Sequence, residues 1–225
     1  MPGTMPSSLF ITGTDTGVGK TMAACALLRN CVAEGHLAVG MKPVAAGAVR
    51  TPEGWLNDDV ARLRAASNVA AGLQEINPYC FEPPIAPHIA ARQAGVVIDL
   101  EVIAVAYRNL AARSDAVIVE GVGGFRVPLG ENCDSAALAT VLALPVVLVV
   151  GIRLGCLNHA LLTAEAIRAR GLVLCGWIAN RIDPSMQCAD ENVAALAQRL
   201  DAPLLGDVAY DTLIQAGQIT ARIRA

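Results

Sequence analysis

Short apolar runs alternate with longer amphipathic stretches along almost the whole chain. The apolar runs fall at residues 9–11, 37–41, 116–119, 145–150, 172–179 and 203–208. Uninterrupted apolar runs of this kind are typical of strands that are buried on both faces of a sheet. Because they alternate with helical patterns, the sequence predicts one α/β domain over residues 1–225, with a mostly parallel sheet and helices on both of its faces.

The stretches between the apolar runs repeat apolar residues every three or four positions, which indicates helices. They cover residues 22–33, 58–66, 97–113, 134–144, 158–170 and 190–200, and Asp134 and Asn158 stand where they are suited to capping two of these helices. Residues 51–57 are rich in turn-forming residues, and residues 77–87 contain four prolines. We therefore expect turns in the first segment and a loop in the second.

The first apolar run leads into a glycine-rich segment, Gly13-Thr14-Asp15-Thr16-Gly17-Val18-Gly19-Lys20-Thr21, which precedes the first helix. A strand, a glycine-rich turn, Gly-Lys-Thr and a helix form the layout of a phosphate-binding P-loop. The glycines let backbone N–H groups converge on an anion, and the helix directs its positive dipole end to the same point. Lys20 can then reach the β- and γ-phosphates, while the Thr21 hydroxyl holds Mg²⁺. The loop is one residue longer than the strict motif, which requires glycine where this chain has Thr14.

Polar residues also follow the other predicted strands. They are Lys42, Glu120 with its glycines, the turn at 151–158, Asn180 and residues 206–210. In parallel α/β sheets, ligands bind beyond the carboxyl ends of the strands, so these residues are candidates for a binding site. Glu120 is suited to Mg²⁺, because this ion takes oxygen ligands together with nucleotide phosphates.

Other candidates stay open between two interpretations. Asp58 and Asp59 suit either a helix cap or a cation site. Lys42 is either a surface residue or the partner of an anion, and Asn180 is either a turn residue or a reader of an adenine edge. His159 has no second His or Cys at metal-ligand spacing, so no zinc site is predicted.

Composition narrows the function classes further. The 225 residues are 54% hydrophobic and 16% charged, with a net charge of −3, which gives no electrostatic footprint for nucleic acid or an anionic membrane surface. Residues 1–8 lack the pattern of a signal peptide, and the apolar stretch 141–152 is far shorter than the ~20 residues that span a bilayer. Seven scattered cysteines without a Cys-x-x-Cys pair indicate reduced thiols and a cytoplasmic protein.

Several segments taken together resemble one family. They are the loop at 13–21, Lys42-Pro43-Val44, Glu120-Gly121-Val122-Gly123-Gly124, Gly155-Cys156-Leu157-Asn158-His159 and Gly176-Trp177-Ile178-Ala179-Asn180. In this order and at this spacing they are similar to the dethiobiotin synthetases over nearly the whole chain, and that family's long Gly-Thr-Asp-Thr loop accounts for the extra residue. The resemblance implies a P-loop NTPase-like fold and an ATP- and Mg²⁺-dependent ligase of biotin biosynthesis that acts as a homodimer in the cytoplasm.

The resemblance implies the carboxylation and ring closure of 7,8-diaminononanoate. CO₂ is taken up as a carbamate, the carbamate attacks the γ-phosphate of ATP, and the second amine attacks the resulting carbamic–phosphoric anhydride. The products are dethiobiotin, ADP and phosphate. Because the carbamate is itself the nucleophile, the enzyme has to position the reactants and neutralise charge.

The resemblance also implies roles for individual residues. Lys20 and Lys42 would be catalytic, with Lys42 holding the carbamate, and Thr21, Asp59 and Glu120 would bind Mg²⁺. The implied ATP site comprises Thr16, Gly17, Val18, Gly19, Lys20, Thr21, Asp59, Glu120, Gly121, Val122, Gly123, Asn180, Arg181, Ala209, Tyr210 and Asp211. The implied substrate site comprises Lys42, Ala46, Gly155, Cys156, Leu157 and Asn158, the last four binding the fatty-acid carboxylate of the other subunit.

Three positions depart from the family pattern. Ala46 stands where a Ser or Thr hydroxyl usually faces the substrate, Val122 replaces an alanine, and Ala209 replaces a proline near the expected adenine. The missing hydroxyl predicts substrate binding weaker by about 1 kcal/mol if no other group replaces it.

Two other classes of protein share parts of this pattern. A ParA/MinD-like ATPase switch, which binds a protein partner, carries a signature lysine early in the loop, where this chain has Thr14, Asp15 and Thr16. A cobyrinate-type amidotransferase needs a glutaminase domain, for which 225 residues leave no room. The ligase is therefore the preferred interpretation, and the ATPase switch is the alternative.

Overall fold

A computed structural model describes residues 4–5, 8–211, 219 and 222–223 of the chain. Residues 1–3 and 6–7, which belong to the N-terminal stretch considered above for a signal peptide, lie outside the described residues. Within the described ranges, no helix is long and apolar enough to cross a membrane.

The strands are β1 (Thr4–Met5), β2 (Leu9–Gly13), β3 (Ala38–Met41), β4 (Val44–Ala46), β5 (Ala48–Thr51), β6 (Gly54–Asn57), β7 (Tyr79–Phe81), β8 (Ala116–Glu120), β9 (Val146–Ile152), β10 (Leu174–Arg181), β11 (Leu204–Val208) and β12 (Arg222–Ile223). The helices are α1 (Lys20–Ala33), α2 (Asp58–Ala66), α3 (Leu73–Ile76), α4 (Pro87–Gln93), α5 (Leu100–Ala111), α6 (Ser135–Leu142), α7 (Cys156–Ala169) and α8 (Ala189–Arg199).

Six strands form a parallel sheet in the order β11, β10, β9, β2, β8, β3. The six apolar runs of the sequence supply these six strands, so the predicted parallel α/β sheet is confirmed. β2 lies inside the sheet, and the chain reaches both of its neighbours, β9 and β8, only through crossovers. The connections therefore diverge at the carboxyl end of β2, where ligand sites form in sheets of this kind.

The sheet is buried on both faces because consecutive strand residues point to opposite sides. Leu9 and Ile11 pack on the face covered by α1 and α2, whereas Phe10 between them packs on the face covered by α5, α6, α7 and α8. All five residues of β2 and all seven of β9 are buried. This two-sided burial explains why the sequence shows continuous apolar runs rather than alternation.

Two segments expected as turns or loops contain strands. Residues 51–57 belong to an antiparallel hairpin of β5 and β6, in which Thr51 pairs with Gly54 across the turn. Within the proline-rich segment, β7 pairs in parallel with β4, and Pro87 is the first residue of α4, a position that tolerates proline because its missing N–H would have no helical partner. The loop prediction for 77–87 was therefore wrong at both places.

The two predicted helix caps have different outcomes. Asp134 caps α6, and its side chain accepts a hydrogen bond of 2.8 Å from the backbone N–H of Ala137. Asn158 does not cap α7, because the helix begins two residues earlier, after Gly155. Gly155 has a left-handed backbone (φ 93°), which glycine adopts without steric cost. The chain therefore enters α7 through backbone geometry rather than through a capping side chain.

Candidate functional site

The glycine-rich loop connects β2 to α1 and begins the site. Gly17 and Gly19 have left-handed backbones with φ of 75° and 96°. A β-carbon at Gly19 would overlap with the side-chain amide of Asn180, so this position requires glycine for space as well as for conformation. The Lys20 ammonium reaches back over the loop and donates a hydrogen bond of 2.9 Å to the carbonyl of Asp15. The loop thus combines two left-handed glycines with a lysine ammonium that lies over it, as a phosphate-binding site requires.

A cavity of about 840 Å³ opens beside this loop at the carboxyl edge of the sheet. It brings together residues from the loop, three strand ends and α2. The predicted site residues that line it are Thr16, Gly17, Gly19, Lys20, Thr21, Lys42, Ala46, Asp59, Glu120, Val122, Gly123 and Asn180. Val18 lies buried beneath the loop. The residues that follow the strands thus meet in one continuous pocket, at the edge of the sheet where ligands bind in folds of this kind.

Charged side chains from three elements meet at the floor of this cavity. Lys42 follows β3, Asp59 lies in the first turn of α2, and Glu120 ends β8. The Lys42 ammonium donates to Asp59 Oδ2 at 3.0 Å and to Glu120 Oε1, and it lies 3.5 Å from the carbonyl of Gly121. The Thr21 hydroxyl donates to Glu120 Oε1 at 2.9 Å. The first turn of α1 is thereby tied to the end of β8.

Burial and neighbouring charge determine the protonation of these groups. Burial alone would lower the pKa of Lys42, but Glu120 and Asp59 raise it above its ordinary value. Burial also raises the pKa of the Glu120 carboxyl, although Lys42 opposes this shift. Burial by itself would raise the pKa of Asp59, but Lys42, the Thr21 hydroxyl and Lys20 together lower it below its ordinary value. Burial, reinforced by repulsion from Lys42, lowers the pKa of Lys20 to about 8.

The oxygen atoms at the cavity floor fit Mg²⁺. Glu120 Oε2 is buried and has no hydrogen-bond partner among the described residues, which is costly for a carboxylate oxygen unless a ligand completes it. Thr21 and Asp59 add a hydroxyl and a carboxylate beside it. Mg²⁺ takes such hard oxygen ligands and completes its octahedron with water and phosphate oxygens. Thr21, Asp59 and Glu120, the set that the family resemblance implies, are thus suited to hold this ion.

A second cavity, of about 280 Å³, adjoins the first. Met22 and Asn180 line both cavities, so the two are neighbours. The predicted nucleotide residues that line the second one are Asn180, Arg181, Ala209, Tyr210 and Asp211. The Asn180 amide donates a hydrogen bond of 2.9 Å to the carbonyl of Val18, which fixes this side chain against the P-loop. The two segments expected at the base of the nucleotide therefore come together, and base recognition by Asn180 stays a prediction.

Arg181 lies at the edge of the second cavity and pairs with two acidic residues. Its guanidinium donates to both carboxylate oxygens of Asp207, at 2.9 and 2.8 Å, and to Asp190 at 2.6 Å. These hydrogen bonds raise the pKa of Arg181, which stays charged. The arginine joins the end of β10 to β11 and α8, so it shapes the cavity rather than offering a free cation to it.

The predicted substrate residues Gly155, Cys156, Leu157 and Asn158 lie apart from both cavities, at the start of α7. Gly155 and Asn158 are exposed, and Leu154 beside them is 90% exposed. These four residues therefore do not contact the cavity of their own chain.

Sequence reasoning missed several residues that line the main cavity. Asn57 and Arg62 come from either side of Asp59, and residues 84–87 form the opposite wall. Asn57 could have been found, because an asparagine directly before an acidic first turn is typical of a helix cap. Residues 84–87 gave no signal beyond their prolines, which indicated only a loop.

Comparison with known proteins bears on this site. A family model described as an AAA domain matches residues 7–218. An ATP-dependent dethiobiotin synthetase BioD of Aromatoleum aromaticum is 58% identical over 221 residues, which cover 98% of this chain and 98% of that protein. A protein of the same description from Nitrosospira multiformis is 58% identical over 207 residues, covering 92% of this chain and 90% of that one.

Solved structures resemble the fold. The signal recognition particle 54 kDa protein of Aeropyrum pernix, solved in complex with GDP, matches with a TM-score of 0.52 at 20% identity. The match covers 95% of this chain but only 43% of that protein, so the chain spans less than half of its length. At this identity the likeness concerns the fold alone, an α/β domain like that of P-loop NTPases.

Proposed function

The chain belongs to the family of ATP-dependent dethiobiotin synthetases, and on this premise we propose how its cavity performs the reaction. Membership makes it an ATP-dependent ligase of biotin biosynthesis that forms dethiobiotin. The observation that supports the detailed proposal is the meeting of Lys20, Thr21, Lys42, Asp59 and Glu120 in one cavity beside the P-loop. Two cations and two carboxylates in this arrangement suit a phosphoryl transfer to an anionic nucleophile.

The substrates in this proposal are 7,8-diaminononanoate, CO₂ and ATP. An amine nitrogen bonds to the carbon of CO₂ and loses a proton to solvent, which gives the carbamate. A carbamate oxygen then bonds to the γ-phosphorus while the bond to the β–γ bridging oxygen breaks, and ADP leaves. The second amine attacks the carbamoyl carbon, its C–O bond to phosphate breaks, and the cyclic urea closes with loss of another proton.

The protein positions these reactants and offsets their charge. The P-loop N–H groups and Lys20 hold the β- and γ-phosphates, and residues 209–211 with Asn180 hold the nucleoside end. Thr21, Asp59 and Glu120 hold Mg²⁺, which when bound offsets charge on the phosphate oxygens. Lys42 turns from its carboxylate partners toward the carbamate and keeps it in line with the γ-phosphate. Correct placement supplies much of the rate enhancement of such a transfer.

We assign the start of α7 to the substrate of a second subunit. Gly155 and Asn158 are exposed away from their own cavity, and a helix N-terminus suits the carboxylate of a fatty acid. The neighbouring Leu154 and Leu162 are 90% and 56% exposed, which suits a face that a second copy covers. The protein in this proposal is therefore a homodimer. Its seven free cysteines suit the reducing conditions of the cytoplasm, where we place it.

The test is release of phosphate from ATP in the presence of CO₂ and Mg²⁺, with and without 7,8-diaminononanoate. We expect phosphate and dethiobiotin to appear in equal amounts, and only with the diamine. ATP hydrolysis that ignores the diamine but is stimulated by a protein or DNA partner would favour the ATPase switch. Mass measurement of the product separates dethiobiotin from an open carbamate.

A further inference from the structure

A buried amide joins the two sides of the main cavity. Asn57 is 9% exposed and is the N-cap residue of α2. Its Oδ1 accepts a hydrogen bond of 2.9 Å from the backbone N–H of Asp59. Its Nδ2 donates to the carbonyl of Ala46 at 3.1 Å and to that of Gly47 at 2.9 Å. Every hydrogen of the amide is therefore engaged.

Each half of this amide acts on a different wall. The carbonyl half fixes the first turn of α2, from which Asp59 reaches the Lys42 ammonium at 3.0 Å. The amino half fixes the turn after β4, where Ala46 lines the cavity and Gly47 has a left-handed backbone (φ 80°). That turn packs against the opposite wall, because the Gly47 N–H donates to the Pro83 carbonyl at 3.3 Å.

Capping α2 and holding the 46–47 turn at the same time requires an amide side chain. A serine or threonine hydroxyl can replace the acceptor at a helix N-cap but offers only one donor, and an aspartate offers none. An asparagine or glutamine amide supplies one acceptor and two donors, and the short asparagine side chain suits an N-cap. Asn57 thus pairs with three backbone groups at the cavity edge, among them the Asp59 N–H, which the start of a helix leaves without an intrahelical partner.

We propose that Asn57 is a positioning residue whose carbonyl half places Asp59 for Mg·ATP and whose amino half places the 46–47 turn for the diamine. The inference rests on the proposed function for the identity of the diamine. It goes beyond that function because it assigns the placement of two substrates to the two ends of one side chain. Asn57 can have this effect without contacting either substrate.

Two variants separate the halves. Asn57→Ser keeps a capping oxygen but loses the two amide N–H groups that hold the 46–47 turn, whereas Asn57→Ala loses the cap as well. The matched controls are Asp99→Ser and Asp99→Ala at the N-cap of α5, where Asp99 Oδ1 accepts from the Glu101 N–H at 2.8 Å and which lies outside the cavity. For each protein we would measure the melting temperature, the Kd for Mg·ATP by calorimetry without diamine, and the KM for diamine.

We expect Asn57→Ser to raise the KM for diamine about tenfold and to leave the Kd for Mg·ATP within twofold. Asn57→Ala should raise both, the Kd by about three- to tenfold. Asp99→Ala should lower the melting temperature and Asp99→Ser, which keeps a capping oxygen, should change it little, and neither variant should change the Kd or the KM. The proposal is overturned if Asn57→Ser changes the Kd as much as Asn57→Ala does, or if neither Asn57 variant differs from its Asp99 control. If the unmodified protein forms no dethiobiotin, the proposed function fails, while the Kd contrast still decides the carbonyl half.

Discussion

Lys42 and Glu120, 78 residues apart in the chain, form an ion pair whose side chains are 5% and 1% exposed. Asp59 joins the pair from a third element, at 3.0 Å from the Lys42 ammonium. A buried pair of this kind is a poor source of net stability, because removing both charges from water offsets most of their attraction. Its place at the end of the sheet, beside the P-loop, suits a function in binding anions and a cation.

Replacing Lys42 tests its assignment to the carbamate. Lys42→Met should lower kcat about 10²- to 10³-fold, the usual effect of removing one group that stabilises charge in the transition state. Binding of Mg·ATP should change less than threefold, because Mg²⁺ can neutralise the two carboxylates that the variant leaves behind. Single-turnover phosphate release and calorimetry with ATP measure the two quantities. Near-normal turnover would contradict the role, provided the melting temperature shows a folded protein.

Replacing Glu120 tests the cation site. Glu120→Gln keeps the shape of the side chain but exchanges a carboxylate oxygen for an amide, which is a poorer ligand for a hard cation. We expect the Mg²⁺ concentration for half-maximal activity to rise about tenfold. Glu53→Gln is the control, because Glu53 is exposed, lies outside the cavity and pairs with Arg64 at 2.6 Å. An unchanged Mg²⁺ titration in Glu120→Gln would remove this residue from the metal site.

The buried Lys20 predicts a pH dependence of nucleotide binding. Burial and the neighbouring Lys42 lower the pKa of Lys20 to about 8, and a bound triphosphate would raise this pKa because it favours the charged ammonium. Binding above pH ~8 must therefore take up a proton, so affinity for Mg·ATP should be constant near pH 7 and fall by up to tenfold per unit above pH ~8. Lys42 does not contribute, since its raised pKa keeps it protonated in this range.

Calorimetry in buffers of different ionisation enthalpy counts the protons taken up. In Lys20→Arg the guanidinium stays charged, so the slope above pH ~8 should disappear whatever the absolute affinity of the variant. A slope of equal size in the arginine variant would assign the titration to another group.

The contact between Gly19 and Asn180 predicts unequal effects of two glycine substitutions. Gly19→Ala and Gly35→Ala both place alanine at a left-handed backbone, with φ of 96° and 89°, which costs about 1 kcal/mol each. At Gly35 the new methyl group meets open space, whereas at Gly19 it would displace the Asn180 amide. We expect both variants to melt at a lower temperature, Gly19→Ala more so because it breaks the Asn180–Val18 hydrogen bond, and a Kd for ATP at least tenfold higher in Gly19→Ala alone. Equal ATP binding by the two variants would show that Asn180 need not hold its place.

The strands of the main sheet were predictable because most of their residues are buried and the strands therefore read as apolar runs. The edge strand β11 is the exception, since Leu204 and Asp207 are exposed. The hairpin of β5 and β6 was not predictable, because Ala48 and Asn57 are the buried residues of its two strands and its composition is typical of turns. The strand β7 lies in a proline-rich segment and could not be recognised from local sequence. It forms by pairing with β4, in which Val44 pairs with Tyr79, 35 residues away in the chain.

The sequence predicted which residues belong to the site better than it predicted which of them contact one another. Strand ends gave Lys42 and Glu120 without a family resemblance, since parallel strands carry their last residues to one edge. Nothing local in the sequence indicates that these two side chains pair with each other, or that Asn57 joins Asp59 to the 46–47 turn. Such contacts follow from how α2 and the hairpin pack, which is a tertiary property. The error at Asn158 arose from a local signal that was present but misleading. Asparagine is a common capping residue, but α7 begins earlier, after the left-handed Gly155.

The last prediction concerns Ala46, where a hydroxyl is missing from the substrate wall. Its side chain lines the cavity while its carbonyl is held by Asn57, so a serine there would present its hydroxyl to the bound diamine. Ala46→Ser should lower the KM for diamine about fivefold, which corresponds to one hydrogen bond of about 1 kcal/mol. Ala112→Ser adds the same hydroxyl at the end of α5, at an exposed position outside the cavity, and should leave KM unchanged. An unchanged KM in Ala46→Ser, measured by dethiobiotin formation at saturating ATP, would mean that another group already satisfies the substrate amine.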